Sequence, residues 1–360
     1  MLVERMKGLN RALMPQRLLY SPQWLVLGVN NICNLHCKMC DVGTKTNETN
    51  FAVNLVGTTP LHMPMDLFKQ ICDQAAQYFP KTKLGYAFTE PLVYKHLQES
   101  LAYAKSKNLY TAVTTNALNL RKEADQMIEN GVGDIFISLD GPEEIHNEIR
   151  GHKSSFQRAM EGMEVVWSSK NPVNISVYCV ITEWNYSNLK EFADFFKDKP
   201  IRELGFMHTN FTPQHVADDH NLQFGNKYPA TCSNVEECDV SKIDLDVLWK
   251  EMEAIQKADY PFNVVFSPKV ESRERLGTFY EEPEKLFGKK CNDVFSNIMI
   301  KSDGSVIPAH GRCYNLTVGN LYSESLKDVW NSMTLADFRK DLNKNGGLLP
   351  ACSRCCSAFG

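Results

Sequence analysis

A chain of 360 residues, 43% of them hydrophobic, can bury one large domain plus a small one and has the composition of a globular protein. Its 39 basic and 43 acidic residues leave a net charge of −4, so there is no broad positive field for a nucleic-acid backbone, and nucleic acid is not expected as a partner. Every apolar run is far below a membrane span, and Arg5, Lys7, Arg11 and Arg17 break the start where a secretory signal needs an unbroken apolar core; neither membrane nor export is expected.

In chain order, residues 24–29 (WLVLGV) form the continuous apolar run of a buried parallel strand. It delivers a loop, 31–41, that holds Cys33, Cys37 and Cys40. The polar connection 44–59 reads as a flexible lid. Residues 65–79 read as an amphipathic helix with Leu67, Ile71, Ala75 and Tyr78 on one side. Strands are then expected at 83–86, 110–114, 134–139, 174–181 and 203–207, with helices at 94–107, 122–129, from Ser154, and at 187–197. Ser154 with Gln157 has the spacing of a capping box. Six strands alternating with helices argue a parallel α/β sheet, either open or a partial barrel, with function at the carboxyl ends of the strands.

After residue 211 the pattern loosens, with 212–229 polar, a helix expected at 244–257 and a strand at 260–266. Past 285 a different module begins. Residues 297–301 and 305–307 join through Asp303-Gly304, a hairpin signal, and helices are expected at 323–331 and 335–342. The expected organisation is therefore a barrel over 1–210, a connector over 211–285 and a small α+β domain over 286–360.

Twelve cysteines clustered as CxxxCxxC and CxxCC, in a chain with no export signal, fit metal ligation in the reducing cytoplasm better than disulfides. Soft thiolates suit zinc, copper(I) or iron–sulfur. Zinc closes with four ligands, and near Cys33, Cys37 and Cys40 no fourth is obvious; His36 could serve but is placed between two of them. An iron–sulfur cubane held by three cysteines leaves one iron open. In the tail, Cys291, Cys313, Cys352 and Cys355 supply four thiols, and Cys356 is interchangeable with Cys355 on sequence alone. Zinc and a second cubane are both compatible with that set.

The CxxxCxxC motif resembles the signature of the radical S-adenosylmethionine superfamily, with Met39 where that family usually has an aromatic residue. The resemblance implies a 4Fe-4S cluster whose open iron is chelated by S-adenosylmethionine, which is cleaved to a 5′-deoxyadenosyl radical, and it selects the partial (β/α)6 TIM-like barrel. Further stretches match by position. Thr89-Glu90-Pro91 stands where the family holds the methionine amino group, Thr115-Asn116 resembles its Thr-Asn-Gly turn, and Ser138, Asp140 and Arg150 resemble contacts to ribose and carboxylate. With Met39, Thr89, Glu90, Asn116, Ser138, Asp140 and Arg150 are the implied cofactor-binding residues. Taken singly, Thr89, Asn116 and Asp140 also read as turn and cap formers.

The tail, from Gly319-Asn320 through Trp330 and Phe338-Arg339 to the last cysteines, resembles the auxiliary-cluster extension of these enzymes in its short, twitch form. The gaps of 22, 39 and 3 residues look like those of the short-form radical dehydrogenase of aminocyclitol biosynthesis. A second, fully ligated 4Fe-4S cluster passes electrons rather than binding substrate. The expected reaction is thus a two-electron oxidation of a carbinol in a sugar or cyclitol, fed by a flavodoxin- or ferredoxin-type reductant. The sequence names no base; His208, Tyr178 and Arg150 are candidates, and Cys232 and Cys238 are candidate hydrogen-atom donors that read more simply as bystanders. The alternatives are a maturase that cross-links or epimerises a ribosomally made peptide, for which 32 residues before Cys33 leave little room for a recognition module, and a non-catalytic iron–sulfur or zinc carrier.

Overall fold

The computed structural model describes residues 2–233 and 238–358. Strands β1 (Trp24–Leu27), β2 (Lys83–Tyr86), β3 (Thr111–Thr115), β4 (Asp134–Ser138), β5 (Asn174–Ile181) and β6 (Glu203–His208) pair in sequence order, all parallel. Helices cross back between them, as parallel pairing requires. Leu25, Leu27, Leu84, Tyr86, Val113, Ile135, Ile137, Val177 and Leu204 are fully buried or nearly so, which is why these strands read as apolar runs. All six expected strands form within a residue or two of their expected ends.

The sheet continues past them in both directions. β7 (Asn263–Ser267), from the stretch read as connector, pairs parallel to β6. On the other side β8 (Asn297–Ile300) pairs parallel to β1, and β9 (Ser305–Pro308) and β10 (Gly319–Asn320) follow antiparallel. The result is one ten-stranded sheet, a TIM-like barrel left open between β7 and β10. The physical reason is β1 itself: its backbone groups on the side away from β2 need partners, and the Asp303-Gly304 hairpin supplies them.

Three local expectations change. The connection 44–59 is ordered rather than a free lid. The short helix Asn50–Leu55 buries Phe51 and Leu55 against Met299 and Ile307, and Asn54 Nδ2 donates to the carbonyls of Gly311 (2.9 Å) and Cys313 (2.7 Å). Ser154 makes no side-chain cap; Asn147 Oδ1 accepts instead from the Phe156 N–H at 2.9 Å and from Ser155 Oγ at 2.8 Å. The polar stretch 212–229 contains a helix, Gln214–Phe224, that buries only Val216, Ala217 and His220, too few apolar positions to show as a period. Among the described residues no helix is long and apolar enough to cross a membrane.

Candidate active site and auxiliary thiol site

The cysteine loop follows β1 and is folded tightly on itself. A Cβ on Gly43 would stand 2.6 Å from both the N and the O of Cys37, so only glycine allows the chain to turn back onto the loop. Lys38 N–H donates to Ile149 O at 2.9 Å, which ties the loop to the helix Glu143–Arg150. That helix ends at Gly151 in the left-handed region, φ 66°, the usual stop, and leaves Arg150 under the loop. Arg150 Nε donates to Asp140 Oδ2 at 2.5 Å, and Nη1 lies 3.6 Å from Cys37 Sγ. Burial works against the guanidinium charge, but the charges of Asp140 and Cys37 outweigh it and hold its pKa above the ordinary arginine value. The Cys37 thiol is pushed up to about 12, chiefly by burial, with Arg150 pulling the other way.

The strand ends after β1 complete a pocket of about 300 Å³. Cys33, Cys37, Cys40 and Met39 line it from the loop, and Thr89, Glu90, Asn116, Ser138 and Arg150 from the ends of β2 to β4 and the helix beyond. Glu90 is buried and well bonded: Oε1 accepts from Thr115 Oγ1 (2.6 Å) and Leu92 N (2.9 Å), and Oε2 from Asn116 N (2.8 Å). Burial raises its pKa against those bonds. Thr89 Oγ1 donates to Asn30 O at 2.8 Å, and Asn116 Nδ2 to Asn34 Oδ1 at 2.8 Å. All the residues singled out at the strand ends therefore meet in one place, with one exception.

Asp140 does not reach the pocket. It is 0% exposed, its Oδ2 is taken by Arg150 and its Oδ1 accepts the Val180 N–H at 2.9 Å, so it positions Arg150 rather than touching a ligand. Tyr178 is not in the pocket wall either: its phenol donates to Glu203 Oε1 at 2.7 Å. Arg150, locked to Asp140, cannot act as a base. His208, at the end of β6, is in the wall and only 5% exposed. Its Nδ1 meets Tyr280 Oη at 2.9 Å, its Nε2 has no partner, and burial lowers its pKa to about 3. Cys238 packs among the loop cysteines in an apolar cluster with Leu35, Met39 and Ile149 and does not line this pocket.

Four thiols face a second, smaller cavity of about 70 Å³: Cys291, Cys313, Cys352 and Cys355. They arrive from separate segments. Cys291 N–H donates to Gly347 O at 3.0 Å, Cys313 N–H to His310 O at 3.0 Å, and Tyr314 Oη lies 3.2 Å from Cys352 Sγ. Arg354, 2% exposed, fixes the tail between the last cysteines by donating to the carbonyls of Phe279 (2.5 Å), Thr278 (2.8 Å), Lys285 (2.9 Å) and Glu282 (2.7 Å). Burial drives the thiol pKa values of Cys291 and Cys313 up. Both donor sets are sulfur-only, three thiols lining one cavity and four the other, and both fit iron–sulfur ligation. Among the described residues, His310, Cys355 and Cys356 are a group whose ligand atoms all lie within 4.8 Å of one another.

Sequence reading missed Phe88, Asn210, Arg312 and Cys356 as pocket residues. Only Cys356 carried a signal, its place beside Cys355.

Comparison with known proteins agrees with these two sites. The model of the radical SAM superfamily matches residues 28–196, and that of an iron–sulfur cluster-binding domain matches residues 291–356. Among curated proteins the chain is 26% identical over 194 residues to a serine-type anaerobic sulfatase-maturating enzyme of Bacteroides thetaiotaomicron, covering 51% of this chain and 45% of that one. It is 25% identical over 185 residues to an Fe-coproporphyrin III synthase of Methanosarcina barkeri, covering 51% and 43%. The chain thus spans less than half the length of either relative. In fold it is similar to Streptococcus suis SuiB bound to precursor peptide SuiA, with a TM-score of 0.63 and 17% identity over 93% of this chain and 70% of that one. A three-thiol loop at the mouth of a parallel barrel, a four-thiol cavity beside it and both family matches lead to one conclusion: this chain carries a radical SAM domain over 28–196 and an iron–sulfur cluster-binding domain over 291–356.

Proposed function

We propose that this protein oxidises a carbinol of a sugar or cyclitol-type molecule by two electrons, with the substrate lying between the two thiol sites. The observation that supports this most is the neutral, buried imidazole of His208, a wall residue of the pocket that also holds Cys33, Cys37 and Cys40, with no partner at Nε2. In this reading Cys33, Cys37 and Cys40 hold a 4Fe-4S cluster with an open iron, and Cys291, Cys313, Cys352 and Cys355 hold a closed one. When bound, the open cluster with S-adenosylmethionine supplies a radical that takes a hydrogen atom, and the closed cluster supplies a one-electron acceptor.

The chain's residues do the rest. Glu90, held by Thr115, Asn116 and Leu92, presents a fixed carboxylate edge for the methionine amino group. Thr89, Asn116 and Ser138 would offer polar contacts to the cofactor and Met39 would pack against its adenine, and Arg150 keeps a fixed positive charge under Cys37 because Asp140 holds it. With Nδ1–H donating to Tyr280, the Nε2 lone pair of His208 is the one left to take the hydroxyl proton, which a hydroxyl on a carbon radical gives up more readily than an ordinary alcohol. We further place the chain in the cytoplasm with a flavodoxin- or ferredoxin-type reductant, divided as barrel over 1–210, connector over 211–285 and auxiliary domain over 286–360.

The second reading, maturation of a ribosomally made peptide, is favoured by the sulfatase-maturating relative and by the likeness to SuiB with its peptide. One experiment separates the readings. Anaerobically reconstituted, reduced protein is given S-adenosylmethionine with deuterated sugars or cyclitols, or with a candidate peptide. One 5′-deoxyadenosine carrying deuterium per ketone formed supports oxidation. Deuterium arriving only from peptide supports maturation, and no 5′-deoxyadenosine from fully iron-loaded protein removes both.

A further inference from the structure

The pocket and the auxiliary cavity share a wall, and Arg312 lines both. Its backbone is pinned on either side. Asn54 Nδ2 donates to the carbonyls of Gly311 and Cys313, and the Arg312 N–H donates to His310 Nδ1 at 3.1 Å. The guanidinium carbon stands 4.1 Å from the centre of the Phe51 ring, a cation–π contact. A Cβ on Gly311 would fall 2.6 Å from Leu55 Cδ2, so glycine there lets the helix Asn50–Leu55 close over this turn. Phe51, Asn54 and Leu55 of that one helix thus hold the arginine in place, yet none of them gives its side chain a hydrogen-bond acceptor. Arg150 is paired with Asp140 and Arg354 with backbone carbonyls, whereas among the described residues no carboxylate or carbonyl accepts from the Arg312 side chain. Arg312 is half-buried, and a charge drawn that far from water is normally paired within the protein. The same pocket carries a second polar atom without a partner, Nε2 of His208, a residue only 5% exposed.

We propose that Arg312 binds an anionic group of the substrate, a carboxylate or a phosphate, so that the molecule oxidised is a sugar or cyclitol acid or its phosphate ester. The planar guanidinium fork matches either group with two parallel N–H···O bonds, and those bonds supply the partner that the fold withholds. With its anion on the wall shared by the two cavities, the rest of the substrate extends into the pocket of His208 and the three-cysteine loop. A neutral parent sugar leaves the cation unpaired in a filled pocket, and a site built for a polar group rejects the analogue that lacks it. The identity of the molecule rests on the oxidation reading; the anion site does not.

The test has a binding arm and a turnover arm. Iron-loaded protein with S-adenosylmethionine bound is treated anaerobically with phenylglyoxal, alone or with inorganic phosphate or acetate, and the modified arginines are mapped on peptides. The expected result is modification of Arg312 that phosphate, acetate or both slow several-fold, with the exposed Arg158 unaffected; phosphate alone protecting points to a phosphate ester, acetate alone to a carboxylate. In turnover, a deuterated hexuronate, a hexose phosphate and the neutral hexose are compared by deuterium in 5′-deoxyadenosine. An acid is expected to be preferred, with its KM raised about tenfold or more in R312M and partly restored in R312K, and with iron kept at both sites. An unreactive Arg312, modification that neither anion slows, full protection by S-adenosylmethionine alone, loss of auxiliary iron in R312M, or an acid turned over with unchanged KM in R312M would each overturn the proposal. Protection of Arg312 with no deuterium from any of the three supports the anion site and counts against the oxidation reading instead.

Discussion

The two thiol sites are built in opposite ways. The first takes three cysteines from eight consecutive residues, and its supports are close-fitting and local: a loop that tolerates only glycine at Gly43, and an arginine pinned by Asp140. The second gathers Cys291, Cys313, Cys352 and Cys355 from segments that meet only because β8 pairs with β1 and Arg354 pins the tail. A local site survives as long as its loop does. A gathered site is as stable as the fold that gathers it, so iron at the second should track global stability and iron at the first should track the loop.

The largest expected effect is C37A. It should abolish S-adenosylmethionine cleavage while about four of about eight irons remain, one cubane's worth, by iron analysis and chromatography of 5′-deoxyadenosine; loss of all iron would show that the sites are not independent. Next is D140A, which leaves Arg150 buried without its counter-charge and should cost about 3–5 kcal/mol in urea unfolding. Gly43→Ala forces a Cβ to within 2.6 Å of Cys37 backbone and should cost about 1–3 kcal/mol, stripping iron from the first site alone. Gly8→Ala, where nothing lies within 4 Å of the added carbon, is its control.

Asn54→Ala removes two hydrogen bonds to the Gly311 and Cys313 carbonyls and should cost about 1–3 kcal/mol, read as faster loss of auxiliary iron on mild heating with the first cluster unchanged. The last effect is a pH dependence, and it concerns His208. Its folded pKa of about 3 lies below its ordinary 6.5, so between these values the unfolded chain binds a proton that the folded one does not. The stability it contributes is whole above pH 6.5 and drains as the pH falls toward 3. His208→Gln should flatten the fall by up to about 1.4 kcal/mol per pH unit in that window, measured by unfolding at successive pH values.

The same local-versus-gathered contrast explains what could be read from sequence. CxxxCxxC is a spacing, and Thr89, Glu90, Asn116 and Ser138 sit at ends of apolar runs, so period and position sufficed. Asp140 shows the limit: two residues past Ser138 the chain has turned inward, and no pattern distinguishes a ligand contact from the carboxylate that braces Arg150. The joining of β8 to β1 was hidden because strand partnership across more than 200 residues leaves no local trace, and β7 meets β6 only across the whole connector. Arg312 reaches the pocket only through the joining of β8, whereas Asn210 follows directly on β6. Cys355 and Cys356 were interchangeable on paper, and in the fold His310 Nε2 still meets both sulfurs, at 3.9 and 3.7 Å.

The central claim is that one site leaves a metal atom open and the other does not. Electron paramagnetic resonance of the reduced, iron-loaded protein, recorded before and after addition of S-adenosylmethionine and repeated in a variant lacking Cys33, Cys37 and Cys40, tests it directly. The account expects two cluster signals in the native chain, one of which shifts on addition, and a single unshifting signal in the variant. Zinc in place of iron, or two signals that both ignore S-adenosylmethionine, would contradict it.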